Sequence, residues 1–277
     1  MDEIDQVIAE NAYGHQKRMR WIISCLRKSN RIVEFGCGTG YMITRPLCIL
    51  GFDVVGVDMD AASIEYGQKL FQFDDLKSNK IRNCDLRDID FTPEVIIASE
   101  VIEHIPDVEL SSVLQIIKKK LGRDGVLFIT VPNGYGWFEI ESFLWFKTGI
   151  GFVLNKTRAA RLISLSKKML FGRDIESKHP STVADSPHVQ RFTYKSIQDV
   201  LTREGFIVKD IKGSVMFAGP FSDLLFTGIK PIMYLNSIIG SLFPKLAAGF
   251  YCYCVPAKND IVNKTSNSRI VRGPDGE

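Results

Sequence analysis

The stretch from Arg31 to Asp58 limits the fold of this chain more than any other part of its sequence. An apolar strand runs into a turn with glycine at positions 36, 38 and 40, and a second apolar strand ends at Asp58. Glycine adopts dihedral angles that a side chain forbids, and it lets a ligand press against backbone amides. Asp58 follows Gly40 by 18 residues, where a carboxylate can accept both hydroxyls of a ribose. The pair therefore predicts a nucleoside-binding site.

The elements predicted around this stretch alternate between strand and helix. Strands are predicted at 31–35, 53–57, 80–84, 95–99, 125–131, 206–208 and 249–255, and helices at 4–28, 41–50, 61–72, 107–121 and 194–204. Strands that alternate with helices at this spacing form parallel sheets with helices on both faces. The predicted fold class is α/β, with a doubly wound, mostly parallel, seven-stranded sheet.

The alternation stops after Asn133, and this break divides the chain into segments. They are an N-terminal helix at 1–30, a Rossmann-like cofactor-binding core at 31–133, an inserted lid at 134–187, the rest of the sheet domain at 188–256 with an apolar segment at 213–248, and a tail at 257–277. The tail is polar and is predicted to be disordered.

Composition and charge exclude several functional classes. The net charge of +3 is too small to indicate nucleic acid, and no basic stripe accompanies it. The longest uncharged run of the apolar segment is 14 residues, whereas a membrane-spanning helix needs roughly 20. The six cysteines lack the spacing of a disulfide framework, and the acidic N-terminus lacks the apolar core of a signal peptide. A cytoplasmic location is therefore expected.

Five short motifs follow one another in a fixed order. They are Glu-Phe-Gly-Cys-Gly-Thr-Gly at 34–40, Val-Val-Gly-Val-Asp at 54–58, Asn-Cys-Asp-Leu at 83–86, Ala-Ser-Glu-Val-Ile-Glu-His-Ile-Pro-Asp at 98–107 and Leu-Phe-Ile-Thr-Val-Pro-Asn at 127–133. This set resembles the class I S-adenosylmethionine-dependent methyltransferases over roughly residues 31–133 and again at 188–209. Within it, Glu-Val-Ile-Glu-His is similar to the quinol O-methyltransferases of ubiquinone synthesis.

The resemblance implies a role for the glycine turn. The backbone around Gly36, Gly38 and Gly40 is expected to line the methionine part of S-adenosylmethionine. Glu34 is expected to anchor that turn or to reach the amino group of the cofactor through water. Two readings remain open for Glu34, because it could also stabilise the loop amides without touching any ligand.

The resemblance also implies roles at the ends of three strands. Asp58 is expected to hold the ribose hydroxyls, and Asp85 to accept from the adenine amino group, with the amide of Leu86 facing a ring nitrogen. Asp85 could instead only cap a turn. Ser99 and Glu100, at the end of the fourth strand, are expected beside the sulfonium.

The most suitable proton acceptor by position is His104, with Glu103 beside it as the second catalytic candidate. If this stretch is helical, Glu100 shares a face with both residues. Two carboxylates and an imidazole could also hold a divalent cation, which would acidify a bound hydroxyl. A third reading is that the motif only shapes the pocket or caps the next helix. His188 is expected either to line the pocket or to contact a helix N-terminus.

Two further candidate residues lie in the leading helix, where Tyr13 and His15 either close over the cofactor or lie on the surface.

The insertion is expected to select the methyl acceptor. Between Phe143 and Lys178 there are eight Lys or Arg and two Asp or Glu, and 158–170 has the pattern of a basic amphipathic helix. Such a helix suits an anionic membrane surface or an acidic lipid-linked substrate, although a lid with its charges in water explains it equally.

The predicted function is methyl transfer from S-adenosylmethionine to a small-molecule, lipid-linked or glycan-linked acceptor, at oxygen. The 213–248 segment could cover the pocket, bind an isoprenoid tail or form a homodimer. Peripheral contact with the inner face of a membrane is part of this prediction, and nucleic acid is not. Two alternatives remain: a nicotinamide-dependent oxidoreductase, which prefers Gly-x-Gly-x-x-Gly, and a catalytically idle cofactor-binding protein.

Overall fold

The computed structural model describes residues 7–8, 14–171, 179–184 and 187–257. Its strands are Arg31–Phe35 (β1), Asp53–Asp58 (β2), Ile81–Asn83 (β3), Val95–Ser99 (β4), Val126–Pro132 (β5), Phe206–Gly213 (β6) and Gly249–Pro256 (β7). They form one sheet in the order β3-β2-β1-β4-β5-β7-β6. The pairs among β1 to β5 are parallel, and β7 is antiparallel to β5 and β6. The predicted sheet is confirmed.

Helices cover both faces of this sheet and extend beyond it. They are His15–Cys25 (α1), Thr44–Ile49 (α2), Ala61–Phe73 (α3), Asp107–Lys120 (α4), Trp137–Lys147 (α5), Ile150–Lys156 (α6), Ala159–Phe171 (α7), Tyr194–Arg203 (α8), Pro220–Phe226 (α9) and Lys230–Leu242 (α10). None of the described helices has the length and apolarity needed to cross a bilayer.

The central strands are mostly apolar, in keeping with a sheet covered on both faces. Successive side chains of β4 alternate between the faces. Ile96 packs in the cluster that includes Leu114 of α4, whereas Ile97 packs with Met19 of α1 on the other side. All four side chains are inaccessible to solvent. This double core fixes the strand ends that carry the candidate site.

Helix boundaries follow local capping chemistry. Asp60 precedes α3, and its carboxylate accepts from the amide of Ser63 at 2.9 Å. Thr193 and Ser196 form a reciprocal capping box at the start of α8. In such boxes side chains satisfy backbone amides that have no partner within the helix. These caps start α3 three residues after Asp58 and start α8 directly after the segment 187–193.

Several predicted segments differ from the structure. The leading helix is described only from His15 to Cys25; residues 1–6 and 9–13, including Tyr13, lie outside the described residues, as does 258–277 of the predicted tail. The apolar segment 213–248 is not one unit, because it holds the end of β6 and the helices α9 and α10. The insertion contains α5, α6, α7 and an irregular piece, 179–184, here called the strap.

Candidate active site

The candidate site lies at the carboxyl ends of β1, β2 and β4, where the strand order reverses between β1 and β4. Ligands of open α/β sheets bind at such switch points. Gly36, Gly38 and Gly40 form the turn after β1 with φ angles of 68°, 54° and 70°. These left-handed dihedrals explain why the turn is built from glycine.

Asp58 is fixed against this turn. Its carboxylate accepts from the amide of Gly38 at 2.7 Å and from the amide of Asp60 at 2.8 Å. The two bonds use one oxygen each, so the side chain is oriented before any ligand arrives. The structure thus brings together the two features that define the sequence prediction, and the ribose contact itself stays a prediction.

Glu34 lies two residues before the glycine turn and binds Thr44, which follows the turn. Its buried carboxylate accepts from the amide of Thr44 at 2.8 Å and from the hydroxyl of the same residue. Burial raises the pKa of Glu34 to about 8, and the two bonds from Thr44 oppose that rise. These bonds join β1 to the start of α2, and both readings of Glu34 at the glycine turn stay predictions.

Asp85 caps a short 3₁₀ turn at Leu86–Asp88. It accepts from the amide of Arg87 at 2.8 Å and from the guanidinium of Arg87 at 2.9 Å. These bonds lower the pKa of Asp85. Leu86 is fully buried in the core. Capping is therefore the role that the structure describes, and contact with adenine stays a prediction.

A chain of polar contacts crosses the end of β4. The hydroxyls of Ser99 and Thr130 lie 2.8 Å apart, and Thr130 donates to Glu100 at 2.8 Å. Arg18 forms an ion pair with the same carboxylate at 3.3 Å and contacts His15 at 3.0 Å. Sequence reasoning missed Arg18 and Thr130. The one available signal for Arg18 was a cation within the amphipathic leading helix.

The stretch after Glu100 corrects one expectation. It forms only a 3₁₀ turn at Ile102–His104, and Glu100 has a φ of 55° before it. The helical face that Glu100 was to share with Glu103 and His104 is therefore absent. Pro106 ends the turn, because proline disfavours helical dihedrals in the residue before it, and Ile105 is extended.

The structure instead assembles Glu103, His104 and His188. Their ligand atoms lie within 4.8 Å of one another, and the two imidazole centroids are 4.8 Å apart. His104 Nδ1 contacts the carbonyl of Pro187 at 3.1 Å. This contact holds the ring in place and directs its other nitrogen toward Glu103, whose nearer oxygen is 4.0 Å away.

Glu103 is the most unusual group of this cluster. Its side chain is inaccessible to solvent, and neither carboxylate oxygen has a hydrogen-bond partner among the described residues. Burial, followed by the charge of Glu100, raises the pKa of Glu103 to about 9. Burial and the neighbouring His104 lower the pKa of His188. A buried carboxyl without partners is costly, so this position points to a role beyond packing.

A cavity of about 830 Å³ opens beside these groups. Its walls are formed by α1, the end of β4, the strap, α5 and the segment before β7; they include His15, Arg18, Glu100, Phe138, Ser181, His188, Ala218 and Tyr251. Of the described residues in the cluster, His188 lines the cavity, whereas Glu103 and His104 lie behind it. The pocket-lining reading of His188 therefore matches the structure.

The strap lies directly on the glycine turn. The carbonyl of Ser181 accepts from the amide of Thr39 at 2.9 Å, and the carbonyl of Pro180 accepts from its hydroxyl at 2.7 Å. A Cβ atom added to Gly38 would lie 2.2 Å from the Ser181 oxygen. Tyr66 contacts His179 Nδ1 at 2.9 Å. Sequence reasoning missed this contact because it is made mainly by backbone carbonyls, which leave no motif.

Comparison with known proteins agrees with this geometry. A family model described as a methyltransferase domain matches residues 11–210 of the chain. The chain belongs to this methyltransferase family. The prediction of a class I S-adenosylmethionine-dependent methyltransferase is thereby confirmed, and the nicotinamide alternative loses its support.

Curated relatives share only part of their length with this methyltransferase. The mitochondrial ubiquinone biosynthesis O-methyltransferase of Bos taurus is 37% identical over 109 residues, which are 37% of this chain and 29% of that protein. The O-methyltransferase of the same pathway from Pelagibacter ubique is 25% identical over 153 residues, 51% of this chain and 61% of that protein. The chain thus matches less than two thirds of these relatives.

Solved structures support the fold of the methyltransferase. A S-adenosylmethionine-dependent methyltransferase from Methanosarcina mazei aligns with a TM-score of 0.51 and 14% identity, covering 86% of this chain and 97% of that one. At this identity the likeness establishes the fold and nothing finer. The Rossmann-like architecture predicted from the sequence is confirmed.

Proposed function

We propose that this methyltransferase binds S-adenosylmethionine across the glycine turn and transfers its methyl group to a hydroxyl of an acceptor in the cavity. The observation that carries the proposal is the turn at Gly36–Gly40, with Asp58 fixed against it, beside a cavity of about 830 Å³. Bound S-adenosylmethionine supplies an electrophilic methyl group. The ubiquinone O-methyltransferase relatives favour oxygen as the receiving atom.

Arg18 suits the carboxylate of the cofactor's methionine part. It lines the cavity, its side chain is only 12% exposed, and its Nε atom has no hydrogen-bond partner among the described residues. A buried guanidinium with a free donor binds carboxylates strongly. We therefore add Arg18 to the proposed cofactor-binding set of Glu34, Asp58, Asp85, Leu86, Ser99 and Glu100 and the three glycines.

The proposed proton acceptor is the pair of imidazoles. His188 faces the cavity and His104 packs against it, with centroids 4.8 Å apart. A hydroxyl must lose its proton as it receives the methyl group, and an imidazole in reach of it is a suitable base. His104 keeps its proposed catalytic role in this pair, and Glu103 supports it from the buried side.

A divalent cation at Glu103, His104 and His188 is the second proposal for the same cluster. Two imidazoles and a carboxylate are common ligands of transition metals, and the buried carboxylate has no other partner among the described residues. Calorimetric titration with Mn²⁺ tests it, with Glu103→Gln as the comparison. Binding by the wild type alone supports the cation, whereas equal heats from both proteins contradict it.

Calorimetry with S-adenosylmethionine and with NAD tests the main proposal. Wild type is expected to prefer S-adenosylmethionine. Asp58→Ala should weaken its binding by about 10- to 100-fold, because a charged hydrogen-bond pair contributes roughly 1.5–3 kcal/mol. Asp53→Ala, at the opposite end of the same strand, is the matched control and should bind like the wild type. Tighter binding of NAD would overturn the proposal.

Turnover is a separate question from binding. A labelled methyl donor, incubated with a fractionated extract of the source cells, should transfer label to one hydroxyl-bearing product. Label on no product, despite tight cofactor binding, would favour the catalytically idle alternative. The chemical class of the labelled product then decides between a small molecule, a lipid-linked acceptor and a glycan-linked acceptor.

A further inference from the structure

Helix α10 packs against the sheet with its small and polar side. The side chain of Asn236 accepts from the amide of Phe217 and donates to its carbonyl, both at 2.8 Å. A Cβ atom added to Gly240 would lie 2.1 Å from the carbonyl oxygen of Ser214. Close approach and polar pairing thus hold this side of the helix in place.

The apolar side of α10 faces outward. Tyr234, Leu235 and Leu242 are 71%, 55% and 67% exposed. Residues 235, 238 and 242 recur at the spacing of one helix face and form a continuous stripe. A surface helix normally has the opposite arrangement. This reversed amphipathicity indicates that something other than water covers the stripe.

The helices of the insertion show the same property. Helix α5 carries apolar residues on every side, a pattern of helices buried all round, yet Phe143 and Phe146 are 61% and 72% exposed. On α7, Leu162, Leu165 and Met169 form another exposed stripe. The insertion therefore leaves uncovered much of the apolar surface that its sequence supplies.

These helices are neighbours: α5 and α7 each contact α6 and α9, and Phe217 connects α5 and α9 to α10. Its ring packs edge-on against Trp137 of α5 at 5.4 Å and against Phe226 of α9 at 6.4 Å, while its backbone binds α10. We call α5, α6, α7, α9 and α10 the helical layer. Phe138 of α5 also lines the cavity, so the layer borders the candidate active site.

The basic residues of this layer favour an anionic partner. The five helices of the layer hold six Lys or Arg, at positions 147, 156, 161, 167, 168 and 230, and three acidic residues, Glu139, Glu141 and Asp223. Glu141 is buried and Glu139 lies 3.8 Å from Arg191, so the exposed charge of the layer is mainly basic. Exposed Arg161 adjoins Leu162, and Lys156 lies over the exposed ring of Phe152. A symmetric contact between two copies would oppose like charges, whereas an anionic lipid surface complements them.

We propose that the helical layer docks the methyltransferase on an anionic membrane surface. The apolar stripes would enter the boundary between headgroups and acyl chains, and Lys and Arg would contact the lipid phosphates. No described helix can span the bilayer, so the contact is interfacial. Membrane docking does not depend on the proposed function, whereas delivery of a lipid-linked acceptor to the adjoining cavity rests on it.

Vesicle co-sedimentation of the full chain tests the docking. The protein should bind vesicles that contain phosphatidylglycerol at least tenfold more strongly than pure phosphatidylcholine. High salt should reduce the difference, because it screens the attraction between basic residues and anionic headgroups. Leu235→Glu with Leu242→Glu should reduce the bound fraction about tenfold or more. Arg161→Glu with Lys156→Glu should do the same.

Phe73→Glu is the matched control, because Phe73 is 87% exposed on α3, outside the helical layer. It should bind vesicles like the wild type. Equal binding by the layer variants and the wild type, or no binding to anionic vesicles, would overturn the docking. A second outcome is a wild-type dimer in sedimentation equilibrium, abolished in the layer variants, with no binding to vesicles. This result would show that the layer binds a second copy of the chain and not a membrane. Calorimetry with S-adenosylmethionine on each variant keeps a failure of docking distinct from a failure of cofactor binding.

Discussion

Large apolar side chains are buried in the sheet core and exposed to solvent in the helical layer. Ile129 of β5 is completely buried, as are its neighbours on both faces of the sheet, whereas Leu242 of α10 is 67% exposed. Both segments are rich in large apolar side chains. Sequence patterns predicted the elements of the core, whereas in the layer they predicted only a helix near 158–170. Apolarity accompanies burial only in the core, because burial depends on what lies opposite each face.

The two regions also divide the cavity between them. The sheet edge contributes an ionisable group, Glu100, with Glu103 buried behind it. The layer contributes apolar wall through Phe138 of α5. Chemistry is thus expected from the sheet edge and acceptor choice from the layer.

Replacement of the imidazoles tests whether the chemistry lies at the sheet edge. His188→Ala and His104→Ala should each lower kcat by about 10²- to 10⁴-fold, the usual contribution of a general base, with cofactor affinity unchanged. Val189→Ala, at an exposed neighbouring position, is the control and should keep full turnover. Steady-state kinetics with the identified acceptor measures this. Unchanged kcat in both variants would move the proton acceptor elsewhere.

Truncation of one apolar side chain in each region tests the contrast in burial. Ile129→Ala should lower the free energy of unfolding by about 2–5 kcal/mol, since it opens a cavity in the core. Leu242→Ala should change it by less than about 0.5 kcal/mol, because its side chain is already exposed. Urea denaturation compares them. Equal losses would show that α10 is covered within the folded chain and would remove the contrast.

The buried carboxyl of Glu34 tests the sheet side of the comparison through the pH dependence of stability. Its folded pKa of about 8 lies above its usual value of 4.5, so its contribution is fully present below about pH 4.5 and is lost as pH rises through about 8. Glu34→Gln should reduce this slope in that window by at most about 1.4 kcal/mol per pH unit. Thermal unfolding across the window measures it, and an unchanged slope would contradict the raised pKa.

Local patterns predicted much of the fold and part of the site. The strands, the glycine turn and Asp58 follow from short stretches of sequence whose neighbours along the chain fix their structure. Arg18 and Thr130 could not be predicted, because only packing of α1 and β5 against β4 brings them to Glu100. The condition that residues 100–104 form a helix is not met, because the chain forms only a 3₁₀ turn there and Pro106 keeps Ile105 extended.

The strap gives the insertion a direct connection to the glycine turn. The strap begins eight residues after α7 ends, and its Pro180 and Ser181 carbonyls accept from Thr39. A ligand that displaces these bonds changes the affinity of the insertion for any surface that it binds. By reciprocity, binding of the insertion to that surface changes the affinity of the turn for the ligand by the same factor. Cofactor affinity and attachment of the helices are therefore linked quantities, and a titration of one in the presence of the other would measure their coupling.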